Sequence, residues 1–193
     1  MRALAQTAKS KQQRTTDNRQ QSGSRGQPRL NGERVEYRVR VERGQLKFAA
    51  AHFATFEGQC EPLHGHNYAV AIEVAGELTE DSWMIDFSAL KAIGRAVCDE
   101  VDHKFLLQRD SRALQIEEGM SNWKIRFLER GFVFPKADVV PLPIDNTTAE
   151  RLAGWFVGRV SAELRARGAS NITSVAVTVE EAPGQAATAV AGV

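Results

Sequence analysis

Two histidines separated by a single glycine open a strand-like segment about one third of the way along the chain. His64 lies just before residues 66–77, HNYAVAIEVAGE, and His66 is their first residue. In this segment apolar residues alternate with smaller or polar neighbours. This period of two predicts a strand with one buried face. Side chains two apart in a strand project from the same face, so both imidazoles can reach one ion. The spacing therefore favours a fold in which the two rings share one space.

A third histidine lies close enough in sequence to join this pair. His52 ends the preceding predicted strand, within fifteen positions of His66. Three neutral imidazoles suit Zn²⁺ and leave one coordination position for water or substrate, as in catalytic zinc sites. Two alternatives stay open, namely a closed structural site with Cys60 as the fourth ligand and histidines that bind no metal.

The two cysteines of the chain differ in their sequence surroundings. Cys60 lies four residues before His64. A thiol near a dication has a lowered pKa, so it forms a thiolate that can accept a proton or attack carbon. Its alternative role is that of a small buried residue. Cys98 lies among apolar residues of a predicted helix, which favours packing. Two cysteines are too few for a disulfide scaffold, which favours a reducing compartment.

Further candidate residues lie at the ends of predicted elements. Asp102 and His103 close the first predicted helix, where the carboxylate either orients the imidazole for acid/base work or simply forms a polar helix end. Glu181 ends a buried row in the last predicted strand. A carboxylate there either hydrogen-bonds the N–H and NH₂ edge of a nitrogen heterocycle or marks where the strand meets water.

The remaining hydrophobic pattern predicts a sheet with helices inserted between its strands. Alternating residues predict strands at 35–41 and 45–53 with a turn at Arg43–Gly44 between them, then the strand at 66–77. A last long strand follows at 172–181. Together these segments predict an antiparallel sheet.

Helical periodicity replaces the alternation in two places. A first helix is predicted with its N-cap at Asp86 or Ser88, and a second begins at a capping box, Thr147–Glu150. Between them, residues 109–146 are longer than a simple connection requires. This extended segment includes a predicted hairpin that turns at Arg130–Gly131.

Composition separates the N-terminal segment from the rest of the chain. Residues 1–34 carry eight basic and two acidic side chains and almost no apolar residue, whereas the whole 193-residue chain has a net charge of +1. We expect residues 1–34 to form a disordered basic tail, solvated rather than bound to nucleic acid, and residues 35–193 to form one domain. The sequence has no apolar run of membrane-spanning length and no secretory signal at its start, so we expect a cytoplasmic protein without a membrane partner.

Six short strings then identify a family resemblance. FAAAH, CEPLHGHNY, MIDFSALK, VDHKFLL, NTTAERLA and VTVEE occur in this order between residues 35 and about 185. The ordered set resembles the 6-pyruvoyl-tetrahydropterin synthase and 6-carboxy-tetrahydropterin synthase family. The resemblance implies an α+β tunnelling fold, in which an antiparallel sheet with two helices on one face closes with other subunits into an oligomeric barrel, a homohexamer in this family.

The resemblance also implies roles for individual residues. His52, His64 and His66 are the expected zinc ligands, and zinc is the only expected cofactor. Cys60 is the expected catalytic base, with Asp102 and His103 completing the proton-transfer triad. Glu181 is the expected anchor of the pterin ring, and Thr147 and Thr148 are expected to contact that ring.

The implied reaction is that of a zinc-dependent carbon-oxygen lyase. It converts 7,8-dihydroneopterin triphosphate to 6-carboxy-tetrahydropterin with loss of triphosphate and acetaldehyde, a step of deazaguanine (queuosine-type) biosynthesis. Glu61 adds a second possible reaction, because CEPLHGH also fits the ExxHGH pattern of members that cleave the side chain to 6-hydroxymethyl-dihydropterin for folate. A pyruvoyl product and a non-enzymatic zinc- or pterin-binding module also stay open.

Overall fold

The computed structural model describes residues 29–30 and 33–193. The predicted disordered tail, residues 1–34, lies outside the described residues except for Arg29–Leu30 and Glu33–Arg34, which pair as two short antiparallel strands. For the rest of the tail, disorder stays a prediction. The helices of the described part are either too short or too polar to cross a bilayer.

The described part of the chain contains thirteen strands, two α-helices and one short 3₁₀-helix. They are β1 Arg29–Leu30, β2 Glu33–Arg34, β3 Tyr37–His52, β4 Thr55–Phe56, β5 Gln59–Cys60, β6 His64–Gly76, α1 Phe87–Val101, β7 Lys104–Gln108, β8 Gln115–Glu118, β9 Asn122–Phe127, β10 Arg130–Pro135, the 3₁₀-helix Lys136–Asp138, β11 Val139–Leu142, α2 Ala149–Ala166, β12 Ile172–Ala182 and β13 Gln185–Gly192.

Six of the strands form the central sheet, in the order β11-β7-β3-β6-β12-β13. The pairs β3–β6, β6–β12 and β12–β13 are antiparallel, whereas β7 runs parallel to β3, and β11 parallel to β7. Both helices pack on this sheet and contact each other, so they enclose one large apolar core. The predicted α+β class with two helices on an antiparallel sheet is confirmed, and the two parallel strands at one edge are additional. Closure of several subunits into a barrel stays a prediction.

The predicted turn at Arg43–Gly44 is wrong. The segments on either side belong to one sixteen-residue strand, β3, whose register against β6 shifts between Glu42 and Lys47. Gly44 has φ +64°, a left-handed conformation that glycine adopts without strain. A glycine with polar neighbours is typical of both a turn and a β-bulge, and here the chain continues straight on through a bulge.

The two helices begin differently. The Oδ1 atom of Asp86 accepts a hydrogen bond of 2.8 Å from the Ala89 N–H, so Asp86 is the N-cap of α1, as predicted. The capping box predicted for α2 is wrong. Its N-cap is Thr148, whose side chain makes no capping hydrogen bond within the described residues. The buried Thr147 hydroxyl lies instead 3.0 Å from the Phe53 carbonyl oxygen and 2.9 Å from Oε1 of Gln108, and its single proton can be donated to either acceptor.

The extended segment between the helices forms a separate three-stranded sheet, in the order β10-β9-β8. Its hairpin turns at Leu128–Glu129 rather than at the predicted Arg130–Gly131, which lie in β10. Leu128 adopts φ +50°, so the positive φ of this tight turn falls on a residue that does not signal it in the sequence. The sheet packs aromatic residues against the end of β3 in a second, smaller core that includes Phe53 and Phe105.

The last predicted strand is β12, and it is followed by a strand that the sequence pattern does not predict. Val175, Val177 and Val179 are fully buried in β12, and Glu181 continues their row at its half-buried end. β13 consists mostly of small residues, QAATAVAG, whose alternation carries little apolar contrast. The sheet therefore contains one strand more than the predicted last strand, on the far side of β12.

We predict that Asp86→Ala destabilises the protein because it removes the side-chain cap of α1. The expected loss is about 1 kcal/mol of unfolding free energy, measured by urea denaturation. Ser88→Ala, in the first turn of the same helix, is the matched control and is expected to change stability by less than about 0.5 kcal/mol. Equal effects of the two substitutions would contradict the assignment of the cap.

Candidate metal centre and active-site cavity

The pairing of β3 with β6 brings three histidines together. His52, the last residue of β3, lies directly opposite His64, the first residue of β6, and His66 lies opposite Ala50. The ring centroids are 4.6 Å apart for His52 and His64, 4.8 Å for His64 and His66, and 5.2 Å for His52 and His66. One ligand nitrogen from each ring can be chosen so that all three lie within 4.8 Å of one another. This spacing lets the three imidazoles share one ion.

Hydrogen bonds on the far side of two rings direct their other nitrogens into this cluster. The Nδ1 atom of His52 lies 3.1 Å from the Thr147 carbonyl oxygen, and that of His64 lies 2.8 Å from the Pro62 carbonyl oxygen. Donation of Nδ1–H to these carbonyls leaves the lone pair on Nε2, the arrangement typical of metal-binding histidines. Burial lowers the pKa of His52, which favours the neutral, metal-binding form.

Two of the clustered nitrogens are buried without a hydrogen bond. The Nε2 atoms of His52 and His66 have no hydrogen-bond partner within the described residues. Buried polar atoms are rarely left unpaired, so these two atoms indicate a missing partner. A metal ion coordinated by the three imidazole nitrogens fits this set of ligand atoms. The thiol of Cys60 is not part of the cluster, so the closed His₃Cys arrangement is not formed here among the described residues.

The cluster lines a cavity of about 420 Å³. Several sequence-predicted site residues share its wall, namely His52, Glu61, His64, His66, Thr148 and Glu181. The Oε1 atom of Glu181 lies 3.2 Å from Nε2 of His52 and 3.4 Å from Nε2 of His66. It also accepts a hydrogen bond of 3.3 Å from the Tyr68 hydroxyl, whose pKa is raised by burial. A carboxylate and a metal-ligand cluster therefore face the same space.

Cys60 and Glu61 are adjacent, but their side chains have different surroundings. The Cys60 side chain packs against the second core, and its Sγ lies 3.5 Å from the Glu61 carbonyl oxygen. Burial raises the pKa of this thiol, and the nearby Arg130 opposes that rise. Glu61 lines the cavity, and its Oε2 accepts a hydrogen bond of 3.1 Å from the Ala54 N–H. In this structure the carboxylate, not the thiol, is therefore presented to the histidine cluster.

Asp102 and His103 lie together, beside a different cavity. The Nδ1 atom of His103 is 3.1 Å from Oδ2 of Asp102, while Oδ1 of Asp102 accepts a hydrogen bond of 2.8 Å from the Ala49 N–H. That backbone hydrogen bond is the main cause of the lowered pKa of Asp102. His103, whose side chain is 82% exposed, lines a second opening of about 480 Å³, which His66 of the cluster also lines. Within one subunit this pair is not part of the cavity wall that holds Glu61 and Glu181.

Two amides near the site, the buried Gln108 and the half-buried Asn146, are not among the candidate residues of the sequence analysis. The Oε1 atom of Gln108 accepts a hydrogen bond of 3.0 Å from the Thr147 N–H and is one of the two acceptors within reach of the Thr147 hydroxyl, at 2.9 Å. Asn146 bonds both backbone groups of Thr55. Thr147 itself is fully buried beneath the cavity, and Thr148 reaches its wall. Asn146 opens the NTTAERLA string, which signals its importance, whereas Gln108 ends a short strand and carries no comparable signal.

Comparison with known proteins assigns this site to a family. A family model described as 6-pyruvoyl tetrahydropterin synthase matches residues 41–191, which include the histidine cluster and Glu181. The chain belongs to this family. Its members are tetrahydropterin synthases, so the chain is an enzyme of that kind.

Named relatives lie within the same family. The chain is 34% identical over 143 residues to a putative 6-carboxy-5,6,7,8-tetrahydropterin synthase of Methanocaldococcus jannaschii, covering 74% of this chain and 88% of the relative. It is 35% identical over 123 residues to the 6-carboxy-5,6,7,8-tetrahydropterin synthase of Haemophilus influenzae, covering 60% of this chain and 78% of the relative.

A solved structure supports the same relationship. The 6-pyruvoyltetrahydropterin synthase of Plasmodium vivax is 34% identical, with a TM-score of 0.77, and the match covers 82% of this chain and 99% of that protein. Two further structures of the Plasmodium vivax protein carry alanine or cysteine in place of a glutamate described as a catalytic residue.

We predict that His64→Ala weakens binding of a divalent metal ion, because it removes one nitrogen of the cluster. Titration with Co²⁺, followed by its visible absorption, measures the affinity. The loss is expected to exceed the roughly 10- to 100-fold typical of losing an outer-shell partner of a ligand. His103→Ala is the matched control, since it removes a histidine outside the cluster, and it is expected to bind Co²⁺ as the unsubstituted protein does. Equal losses in both variants would contradict the cluster as the metal site.

Proposed function

We propose that this chain, as a zinc-dependent lyase, converts 7,8-dihydroneopterin triphosphate and one water molecule to 6-carboxy-tetrahydropterin, triphosphate and acetaldehyde. The observation that carries the proposal is the shared cavity of the three-histidine cluster and Glu181. The names of the Methanocaldococcus jannaschii and Haemophilus influenzae relatives support the carboxy product. A place in deazaguanine biosynthesis follows from that product, and a cytoplasmic location stays a prediction.

Zinc fits the proposed reaction because its ligands would be three neutral imidazoles. Held by His52, His64 and His66, it supplies Lewis-acid stabilisation of negative charge on substrate oxygens. Glu181 is proposed to hold the pterin ring by accepting hydrogen bonds from its N–H and NH₂ groups. Tyr68 fixes that carboxylate by donating its hydroxyl to Oε1. The ring is thereby oriented so that its side chain reaches the histidine cluster.

A base is needed to remove a proton from the substrate side chain, and Glu61 is the residue that we propose for it. Glu61 lines the cavity, whereas Cys60, the base expected from the resemblance, packs against the second core. The catalytic glutamate described for the Plasmodium vivax structures supports a carboxylate in this role. Its position also favours a second candidate function, side-chain cleavage to 6-hydroxymethyl-dihydropterin by the same carboxylate.

Asp102 and His103 are proposed to act across a subunit boundary. His103 is exposed and lines a different opening from the one that Glu61 and Glu181 line. Within the described residues, β11 and β13 each pair with one strand only, so the central sheet has two open edges. Closure of these edges in an oligomeric barrel, a hexamer by resemblance, would protect them from further strand pairing. It would also bring His103 close to the cavity of a neighbouring subunit.

The proposed function is tested by product analysis. We predict that the zinc-loaded protein converts 7,8-dihydroneopterin triphosphate to 6-carboxy-tetrahydropterin and acetaldehyde, identified by mass spectrometry, and that chelation removes this activity. Glu61→Gln is expected to lower turnover by at least about 100-fold because it removes the base. Cys60→Ala is the matched control and is expected to keep both its zinc and most of its turnover.

Each different product has a definite meaning. 6-Hydroxymethyl-dihydropterin as the sole product would select the second candidate function, and a pyruvoyl product would select the remaining family reaction. Loss of turnover with zinc retained in Cys60→Ala would restore the thiol as the base. Loss of zinc in that variant would establish the closed His₃Cys site, and no turnover in any zinc-loaded preparation would leave a binding module.

A further inference from the structure

An arginine from the extended inter-helix segment binds the backbone on which the two candidate bases lie. Arg130 is the first residue of β10. Its Nη1 donates to the Cys60 carbonyl oxygen at 2.7 Å, and its Nη2 donates to the Glu61 carbonyl oxygen at 3.1 Å. One guanidinium therefore bridges two consecutive peptide groups. Hydrogen bonds from a charged donor are stronger than neutral ones, and the planar fork fixes both carbonyls at once.

Aromatic contacts connect this guanidinium to the strand that ends at the metal cluster. The guanidinium carbon of Arg130 lies 5.3 Å from the ring centroid of Phe132. Phe132 in turn stacks on Phe53, with centroids 5.0 Å apart and planes inclined by 29°. Phe53 directly follows His52 in the chain and is buried. The position of Arg130 is therefore set by the second core, next to the metal ligands.

On its other side, Glu61 is bound to Ala54. The Glu61 N–H donates to the Ala54 carbonyl oxygen at 3.0 Å, and the Ala54 N–H donates to Oε2 of Glu61 at 3.1 Å. The backbone of Glu61 is thus held between Arg130 and Ala54. With the backbone fixed in this way, the carboxylate lies in the cavity wall and the adjacent thiol lies against the second core.

We propose that Arg130 is a positioning residue that holds Glu61, rather than Cys60, towards the metal cluster. The expected effect on turnover rests on the proposed function. The expected ordering of the backbone at residues 60 and 61 rests on the hydrogen bonds alone. The extended segment between the helices thereby acquires a role, because it delivers the cation that selects between two adjacent candidate bases. A lysine at this position would offer a point charge in place of the fork. It would therefore hold the two carbonyl groups less firmly than the guanidinium does.

Two arginines of the same hairpin allow a matched comparison. Arg130→Met removes the charged fork and keeps an apolar stem over Phe132. Arg126→Met is the control, because Arg126 is also exposed on this hairpin but is not part of the contact with residues 60 and 61. Arg130→Lys keeps the charge and tests whether the fork geometry matters. Thermal unfolding and Co²⁺ binding of each variant verify that the fold and the metal cluster are retained.

The structural consequence is measured without any substrate. Hydrogen–deuterium exchange of a peptide covering residues 55–63 is expected to be about tenfold faster in Arg130→Met than in the unsubstituted protein. Arg126→Met is expected to exchange as the unsubstituted protein does, and Arg130→Lys to lie between them. Unchanged exchange in Arg130→Met would overturn the proposal, whatever the enzyme's activity. This readout also stands if the proposed function fails.

The kinetic consequence is measured as a double-mutant cycle on kcat. The loss of kcat caused by Glu61→Gln is expected to be about tenfold smaller in the Arg130→Met background than in the unsubstituted protein, because the carboxylate is no longer held in place. The same loss should be unchanged in the Arg126→Met background. Equal losses in the Arg130→Met and unsubstituted backgrounds would show that Arg130 does not position the base and would overturn the proposal. An absence of turnover in the unsubstituted, zinc-loaded protein would instead count against the proposed function.

Discussion

The antiparallel register of β3 and β6 is the constraint on which the site depends. It sets His52 opposite His64, and the alternation within β6 puts His66 on the same face as His64. A slip of one residue would send these rings to opposite faces of the sheet and separate them. Gly65 keeps the two strands close, because a Cβ at that position would lie 2.9 Å from the Ala50 carbonyl oxygen. The large apolar core under the sheet fixes this register, and the cluster of imidazoles is its consequence.

Electrostatics then give the cavity its chemical character. Burial lowers the pKa of His52 and so favours its neutral form, while Glu181 and Glu61 bring carboxylates to the same wall. Two imidazole nitrogens point at Glu181 without forming a hydrogen bond to it, which suits an ion lying among these groups. A divalent cation would compensate both carboxylates and the unpaired nitrogens together. The arrangement is thus better suited to binding a charged ligand than to stabilising the fold.

The sequence is most informative where local periodicity determines geometry. The pairing of His64 with His66, the α1 cap at Asp86 and the end of the buried row at Glu181 follow from spacings within single elements, and His52 joins the two histidines because its strand precedes theirs in the chain. The different surroundings of Cys60 and Glu61 could not be predicted in this way, because contacts with Arg130 and Ala54 set the backbone there, and Arg130 is 69 residues from Glu61 in the chain. Thr147 likewise fits a capping box by spacing, but its buried hydroxyl lies within hydrogen-bond distance of Phe53 and Gln108 instead. The Arg43–Gly44 segment of β3 has the residue types of both a turn and a β-bulge, and only the pairing of β3 with β6 shows that it is a bulge.

The central claim is that three imidazoles, and no thiolate, hold a metal ion that keeps a position open for substrate. X-ray absorption spectroscopy of the zinc-loaded protein tests it most directly, because nitrogen or oxygen ligands at about 2.0–2.1 Å are distinguishable from sulfur at about 2.3 Å. The account predicts a shell of nitrogen and oxygen with the signature of three imidazoles and no sulfur. A sulfur ligand, or fewer than three imidazoles in the shell, would contradict it.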